Sequence, residues 1–341
     1  MQYYKDTHPW HLNGETIQVV DNNDHLGVVV SGINEEQKNI DQNIQSCRKS
    51  LFGLLGAAYS YKCMLPPTTQ VHLWRTYNLP VLLSGLYSLP IRPPVISPLS
   101  IFHNKTMRGF LKLSKSSPIP SLHFLLGEPP VEALLHIQVL TLFHNIWMNP
   151  STTVHDLIKY ILRMCKSTST TWANHVQILC EMYSLPSPLY LLESGPAWPK
   201  QQWNNMVKTK ILAFHEKRLR EKAQNNSKMK YLNVQLLGLS GRAHPALHGI
   251  TNTQQVKKLR IHLKFLTCDF LTADYVAQDQ PNRSPACPLC CAPAETIPHI
   301  LVEYRALAEV RARIFPDLLY WDTGSTNIPN PTQGCPRCSP V

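Results

Sequence analysis

Apolar and polar positions along the chain predict a small β segment at its start and helices over most of the remainder. Two β-branched runs, residues 17–20 and 28–30, flank the polar stretch Asp21-Asn22-Asn23-Asp24. Short β-branched runs separated by Asn and Asp are typical of two strands joined by a turn. We therefore expect one hairpin across residues 16–31.

Helical spacing of apolar residues dominates the chain after Asn34, which is a favourable N-cap with Gln37 at the capping-box position. Six prolines between residues 90 and 120 limit that stretch to one short helix. The segment after Pro129-Pro130 is apolar on nearly every side, which predicts a buried helix. Helices are predicted, in chain order, over residues 35–55, 101–112, 129–147, 153–165, 170–183, 200–225 and 254–276.

The composition is that of a folded chain, with 341 residues, 43% hydrophobic and 16% charged. No apolar run approaches the roughly 18 uninterrupted residues of a membrane helix. The first ten residues lack the apolar segment of a signal peptide. We therefore expect an intracellular protein of the cytoplasm or nucleus, not a secreted one, whose ten cysteines are free thiols or metal ligands.

The formal net charge of +11 is concentrated in two stretches. Residues 42–127 contain nine Lys or Arg and no Asp or Glu, and residues 200–230 contain nine Lys or Arg against two Glu. A surface without carboxylates cannot neutralise its own positive field, and phosphate is its usual partner. Aromatic residues are interleaved with both stretches. This pattern favours nucleic acid over the alternative of a solvated basic face.

The strongest chemical spacing is a C-x2-C pair followed by a histidine, made by Cys287, Cys290 and His299. Two thiolates two residues apart can hold one metal ion from a tight turn, and a nearby imidazole can join them. A tetrahedral Zn²⁺ site needs one further donor. The alternative is a metal-free turn with unpaired thiols.

The identity of a fourth donor stays open at the level of sequence. Tyr304 stands where a further Cys would complete a C-x2-C-x8-H-x4-C pattern, and a phenol that titrates near pH 10 is a poor ligand. Cys291 directly follows a proposed ligand, which is an awkward geometry. Cys335 and Cys338 form a second C-x2-C pair that can fold back to supply the missing thiolate.

Short motifs along the chain share their order and spacing with one family of proteins. These motifs are His25-Leu26-Gly27-Val28, Ser46-Cys47-Arg48-Lys49-Ser50-Leu51, Leu54-Leu55-Gly56-Ala57, Leu79-Pro80 with Leu83-Ser84-Gly85-Leu86, Leu125-Leu126-Gly127-Glu128-Pro129-Pro130-Val131-Glu132, Cys287-Pro288-Leu289-Cys290, Glu295-Thr296 and His299-Ile300-Leu301. From about residue 12 to residue 318, the chain resembles the C-terminal part of non-LTR (LINE-type) retrotransposon reverse transcriptases, downstream of the catalytic palm.

The resemblance implies a mainly α fold with a short N-terminal β-hairpin. It implies five regions, which are a palm-end or primer-grip-like hairpin (1–34), a helical thumb-like domain (35–125), a helical linker domain (126–280), a zinc-knuckle-like region (281–318) and a Pro-rich tail (319–341).

The resemblance also implies RNA and DNA as partners, without a membrane. The expected contacts are basic side chains, namely Arg48, Lys49, Arg75, Lys105, Arg108, Lys112, Lys208, Lys210, Lys217, Arg218, Arg220, Lys257, Lys258 and Arg260. Zn²⁺ is the metal that the knuckle-like region implies.

Catalysis is not expected from this chain alone. Polymerases of this family use aspartates that hold two divalent metals, whereas the clustered Asp21 and Asp24 lie in a polar stretch without that setting. We expect no Mg²⁺ site, and a catalytic reverse transcriptase chain of the same element is a candidate partner. The alternative function is a degenerate helical interaction protein that binds neither nucleic acid nor metal.

Overall fold

The computed structural model of the chain is mainly helical, as the sequence predicts. It describes residues 10–17, 20, 22–25, 27–55, 65–164, 170–195, 198–250, 252–270, 272–280, 282–304 and 307–309. The chain divides into two compact units, a first unit Met1–Arg260 and a second unit Ile261–Val341. Every helix of the described ranges is too short or too polar to cross a membrane.

Four short strands lie near the start of the chain, in two antiparallel pairs. The strands are β1 (Trp10–Leu12), β2 (Glu15–Ile17), β3 (Asn22–His25) and β4 (Val28–Ser31), and β1 pairs with β2 while β3 pairs with β4.

The prediction of one hairpin across residues 16–31 is wrong about where the chain turns. The polar stretch that was expected to turn is largely strand, because Asn23 lies opposite Val30 in the β3–β4 ladder. Gly27, with φ of +80°, lies in the two-residue connection between these strands. Tight hairpin loops need positive φ, which glycine adopts without strain, and this outweighs the turn preference of Asn and Asp.

Helices make up most of the remaining described residues. They are α1 (Glu35–Leu55), α2 (Pro67–Leu73), α3 (Leu79–Leu83), α4 (Pro93–Leu111), α5 (Ile119–Leu126), α6 (Val131–Trp147), α7 (Thr153–Met164), α8 (Trp172–Met182), α9 (Pro188–Ser194), α10 (Lys200–Gln224), α11 (Thr253–Leu266) and α12 (Ala273–Asp279). A π-helical turn, Trp74–Asn78, joins α2 to α3. Helices α1, α6, α7, α8 and α10 confirm the predicted ones to within about two residues.

Helix α4 starts eight residues before the predicted residue 101. Its first residues are Pro93 and Pro94. Proline has no backbone N–H, and the first N–H groups of any helix lack an acceptor within the helix, so proline costs nothing at these positions. Pro98 lies within the helix, near its start, where it removes a single backbone hydrogen bond. The density of prolines therefore marks the beginning of a long helix here, not a region without one.

Helix α11 ends ten residues before the predicted residue 276. Cys268 has φ of +47°, and the N–H of Asp269 donates to the carbonyl of Lys264 at 2.8 Å. The N–H of Cys268 donates to the carbonyl of Phe265 at 3.2 Å. This pair of bonds is a Schellman motif, which closes the helix through a left-handed residue that apolar periodicity does not reveal.

The core of the first unit is an aromatic cluster between α6 and α10. The rings of Trp147 and Trp203 lie 5.7 Å apart, and both side chains are fully buried. Both of these indole N–H groups have an acceptor, since Trp203 donates to the carbonyl of Leu140 at 3.0 Å and Trp147 to that of Gly195 at 3.1 Å. Hydrogen bonds to backbone carbonyls let these large rings be buried without an unpaired donor.

Histidines also belong to the buried part of this unit, among them His123, His136 and His144. His136 Nδ1 shares a hydrogen bond with the Tyr183 hydroxyl at 2.7 Å, and that hydroxyl lies 3.0 Å from His215 Nε2. Tyr183 thus bridges two buried imidazoles on α6 and α10.

Burial favours the neutral form of five imidazoles of the first unit, because charged imidazolium is disfavoured away from water. It lowers the pKa of His103 and of His136 to about 3, with neighbouring histidines adding to the effect. It also lowers the pKa of His123, His175 and His215 to about 4. Five histidines of the first unit therefore titrate well below the ordinary value of 6.5.

Acid is predicted to destabilise the first unit already at pH values higher than those at which carboxylates titrate. Because the folded-state pKa values are lowered, the unfolded chain binds more protons, so stability present above pH 6.5 is lost as the pH falls towards 4. Each histidine contributes up to ~1.4 kcal/mol per pH unit in this window. Urea unfolding followed by tryptophan fluorescence should give a lower midpoint at about pH 5 than at about pH 7.5.

His103→Leu is the matched variant, because neither ring nitrogen of His103 has a hydrogen-bond partner among the described residues. Removing this unsatisfied polar group should raise the free energy of unfolding by about 1 kcal/mol and flatten the pH dependence. Equal midpoints at the two pH values would contradict the assignment of buried neutral histidines.

Candidate metal site and basic surface

Two thiols and one imidazole meet in the second unit. The ligand atoms of Cys287, Cys290 and His299 all lie within 4.8 Å of one another, and Cys290 Sγ lies 3.2 Å from His299 Nε2. These are the three residues that the C-x2-C and histidine spacing singles out. Their arrangement can hold one metal ion.

A tight turn brings the two cysteines together. The N–H of Cys291 donates to the carbonyl of Cys287 at 2.9 Å, and the N–H of Cys287 donates to the carbonyl of Ala292 at 2.9 Å. Cys291 has φ of +59°, a left-handed conformation that curls the chain after the second thiol. The backbone N–H groups of Leu289 and Cys290 consequently hydrogen-bond to the sulfur of Cys287.

The imidazole comes from a π-helical turn, His299–Glu303. His299 Nδ1 lies 3.1 Å from Glu303 Oε2, one helical turn along. A carboxylate on one ring nitrogen fixes the orientation of the imidazole and directs the other nitrogen at a metal. Glu303 therefore positions His299 Nε2 towards the two thiols.

The electrostatics of this group favour thiolate. Burial opposes ionisation of Cys287, but hydrogen bonds from the N–H groups of Leu289 and Cys290 and from the His299 side chain together lower the pKa of its thiol. Burial likewise opposes protonation of His299, but its hydrogen bonds to Cys287 and Glu303 raise the pKa of the imidazole. Both shifts favour a negatively charged sulfur beside a positive charge. A bound cation would supply such a positive charge as well.

A second carboxylate connects this group to helix α12. Glu295 Oε1 lies 3.9 Å from Cys287 Sγ, while its other oxygen accepts the N–H of Ala273, the first residue of α12, at 2.6 Å. A carboxylate at a helix N-terminus satisfies a free N–H and interacts favourably with the helix dipole.

Among the described residues, three ligand atoms lie within 4.8 Å of one another, those of Cys287, Cys290 and His299. Tyr304 is adjacent, with its ring centroid 6.2 Å from that of His299. The cysteines proposed from sequence as donors, Cys335 and Cys338, lie outside the described residues.

The carboxylate-free stretch forms an exposed basic surface on α1 and α4. Arg48 and Lys49 on α1 and Lys105 on α4 are all exposed. The Arg48 guanidinium lies 5.5 Å from the centre of the Phe102 ring, an arrangement typical of a cation–π contact between the two helices. These three expected contacts therefore remain directed at solvent.

Arg75, another of the expected contacts, forms an ion pair with a buried carboxylate. Its Nε donates to the Glu128 carboxylate at 2.5 Å, and Glu128 is only 1% exposed, against 34% for Arg75. Burial raises the pKa of Glu128, and the charge and hydrogen bond of Arg75 oppose that rise. Arg75 is thus engaged inside the fold.

Arg108 and Lys112 lie half-buried at the C-terminal end of α4. Arg108 Nη2 donates to the carbonyl of Ser117 at 3.1 Å. Burial, with the nearby charge of Arg260, lowers the pKa of Lys112. These three cations are clustered, but they are less accessible than those at the middle of α1 and α4.

Several cations of the second basic stretch also have partners within the fold. Arg220 pairs with Glu216 at 2.6 Å, Arg218 lies 3.7 Å from Glu132, and Lys210 donates to a backbone carbonyl. The remaining expected contacts of α10 and α11 are exposed, namely Lys208, Lys217, Lys257 and Lys258.

Two residues beside these sites were not predicted from the sequence, Phe52, which is exposed on α1, and Glu303, which contacts His299. Their spacing from a predicted site residue points to both. Phe52 lies four residues after Arg48, and Glu303 lies four residues after His299. Residues at this spacing share one face of a helix, so a search around each expected site residue would have found them.

The chain matches no protein-family model, no curated protein and no solved structure. The support for a function therefore comes from the residues and their geometry.

The Arg75–Glu128 pair provides a direct test of the packing beneath the basic surface. Arg75→Met should lower the free energy of unfolding by about 3 kcal/mol, because it leaves a buried carboxylate without its cation. Glu128→Gln in the same chain should recover most of the loss, since a neutral amide needs no counter-charge. Urea unfolding of the two single variants and the double variant gives the coupling energy, and strict additivity would contradict a buried ion pair.

Proposed function

We propose that the chain binds nucleic acid through the basic surface of α1 and α4, as the non-catalytic C-terminal part of a LINE-type reverse transcriptase. One observation carries this proposal. Exposed cations on two packed helices share a surface built from a stretch, residues 42–127, that contains no carboxylate. The order of the sequence motifs supports the assignment of this surface to a thumb-like region.

Electrostatics make phosphate the best partner for such a surface. Cations without nearby carboxylates attract a polyanion, and binding releases the counterions condensed on that polyanion. The first carboxylate after the stretch, Glu128, is buried against Arg75 and so contributes little to the surface potential. Arg48, Lys49 and Lys105 are the side chains to which we assign the phosphate contacts.

We further propose that Cys287, Cys290 and His299 hold Zn²⁺. Thiolates and imidazole are donors that zinc accepts in structural sites, and Glu303 orients the imidazole as such sites require. A bound ion would stabilise the turn and the π-helical segment against unfolding. The fourth donor is a thiolate of the C-terminal C-x2-C pair or a water molecule.

A second candidate function is that of a helical interaction protein. Helix α7 favours it, because Val154, Leu157, Tyr160 and Met164 are exposed along one side of that helix. An exposed apolar stripe is typical of a surface that another protein covers. This candidate predicts a folded chain that ignores nucleic acid.

Binding to a labelled single-stranded RNA and to a primer–template duplex tests the first proposal. The variant Arg48→Ala with Lys105→Ala should weaken binding about tenfold and reduce the salt slope by about 1 to 2, because two phosphate contacts are lost. Fluorescence anisotropy at several salt concentrations measures both quantities. Lys159→Ala, on α7 outside both basic stretches, is the control and should bind as the unmodified chain does. Absent or salt-insensitive binding by the unmodified chain would refute the proposal.

Metal analysis tests the zinc site. The purified chain should retain about one zinc ion after dialysis, and Cys290→Ser should abolish retention because it removes one of the three donors that meet here. Cys291→Ser is the matched control, since it alters the neighbouring exposed thiol, and it should keep the ion. Glu303→Gln should weaken zinc affinity about tenfold. A zinc content near zero with an unchanged circular dichroism spectrum, or equal loss in both cysteine variants, would sink the proposal.

A further inference from the structure

A pocket of about 490 Å³ lies between α1 and α4, within the basic surface. Leu51 and Phe52 of α1 and Phe102 of α4 supply its apolar walls, and Arg48 and Lys105 stand at its rim. Pockets of this size accommodate small organic groups. Since Gly109 brings no side chain to the lining, the space between the helices stays open.

The two phenylalanine rings differ in what already covers them. Phe102 is buried, its ring centroid lies 6.2 Å from that of Trp74, and the Arg48 guanidinium lies over it. Phe52 is 73% exposed. Phe52 therefore offers a ring face to a ligand, whereas Phe102 forms part of the pocket floor.

The charges around the pocket decide which flat apolar group it fits. Both charged side chains of the lining are cations, and no carboxylate lines it. A ligand that combines a planar apolar ring with a nearby negative charge matches this arrangement. A nucleotide has this combination, with its base as the ring and its phosphate as the charge.

We propose that the α1–α4 pocket binds one unpaired base of a single-stranded nucleic acid, with the base stacked on Phe52 and its flanking phosphates near Arg48 and Lys105. The inference rests on the proposed nucleic-acid binding, and it adds that the pocket prefers a single strand to a duplex. A base inside a duplex is already stacked and paired, so only an unpaired nucleotide can enter the pocket. Stacking on an exposed aromatic ring is tolerant of sequence, because every base has a π-face.

Substitution of the exposed ring tests the pocket without disturbing the core. Phe52→Ala should weaken binding of a single-stranded oligonucleotide about tenfold and leave the salt slope unchanged, because a stacking contact is lost and no phosphate contact is. Affinity for a blunt duplex of the same length should not change. Tyr190→Ala, which removes another exposed aromatic ring on α9, is the matched control and should bind both oligonucleotides as the unmodified chain does.

Photo-cross-linking gives a second readout that a structural role of Phe52 would not produce. A single strand carrying 5-iodouracil should cross-link to Phe52, identified by peptide mass spectrometry, and the same base within a duplex should not. Single-strand affinity that is equal in Phe52→Ala and the unmodified chain would overturn the pocket while leaving the basic surface in place. Failure of the unmodified chain to bind any oligonucleotide would overturn the pocket and the proposed function together.

Discussion

The ion pair between Arg75 and Glu128 is the interaction on which the arrangement of the first unit depends. The Glu128 carboxylate is almost fully buried, and a buried charge is tolerated only with a cation and good hydrogen bonds. Arg75 reaches it from the π-helical turn between α2 and α3, and its terminal nitrogens lie 3.5 and 3.4 Å from the carbonyls of Gly127 and Gly241. Gly127 has positive φ, and a Cβ there would overlap with the backbone of Arg242. One guanidinium thus holds together three segments that are far apart in sequence.

This internal pairing determines which charges remain for a ligand. Glu128 is the first carboxylate after an 86-residue stretch that contains none, and it is buried against Arg75. The carboxylates of α1, namely Glu35, Glu36 and Asp41, all lie before that stretch, in the first two turns of the helix. The second basic stretch contains carboxylates of its own, Glu216 and Glu221, and Arg220 pairs with the first of them. Net charge alone does not distinguish the two stretches. The carboxylates within the second stretch do, and they favour α1 and α4 as the surface that attracts phosphate.

Apolar periodicity predicted the long helices well, because burial of one helical face repeats regularly along the sequence. It failed where a single backbone conformation decides the outcome, as at Gly27 in the strand connection and at Cys268 after α11. The group of Cys287, Cys290 and His299 was visible in the sequence because its members lie within 13 residues of one another. The α1–α4 pocket was not, since Phe52 and Phe102 are 50 residues apart and only the packing of the two helices brings them together.

Hydrogen–deuterium exchange of the whole chain, with and without a single-stranded oligonucleotide at low salt, tests most directly the claim that α1 and α4 form the nucleic-acid surface. Both helices are packed elements with exposed cations, so a bound oligonucleotide should slow exchange along residues 45–55 and 101–112. Exchange in α7, which lies outside both basic stretches, should not change. Protection confined to α10 and α11, or to no segment at all, would contradict the account.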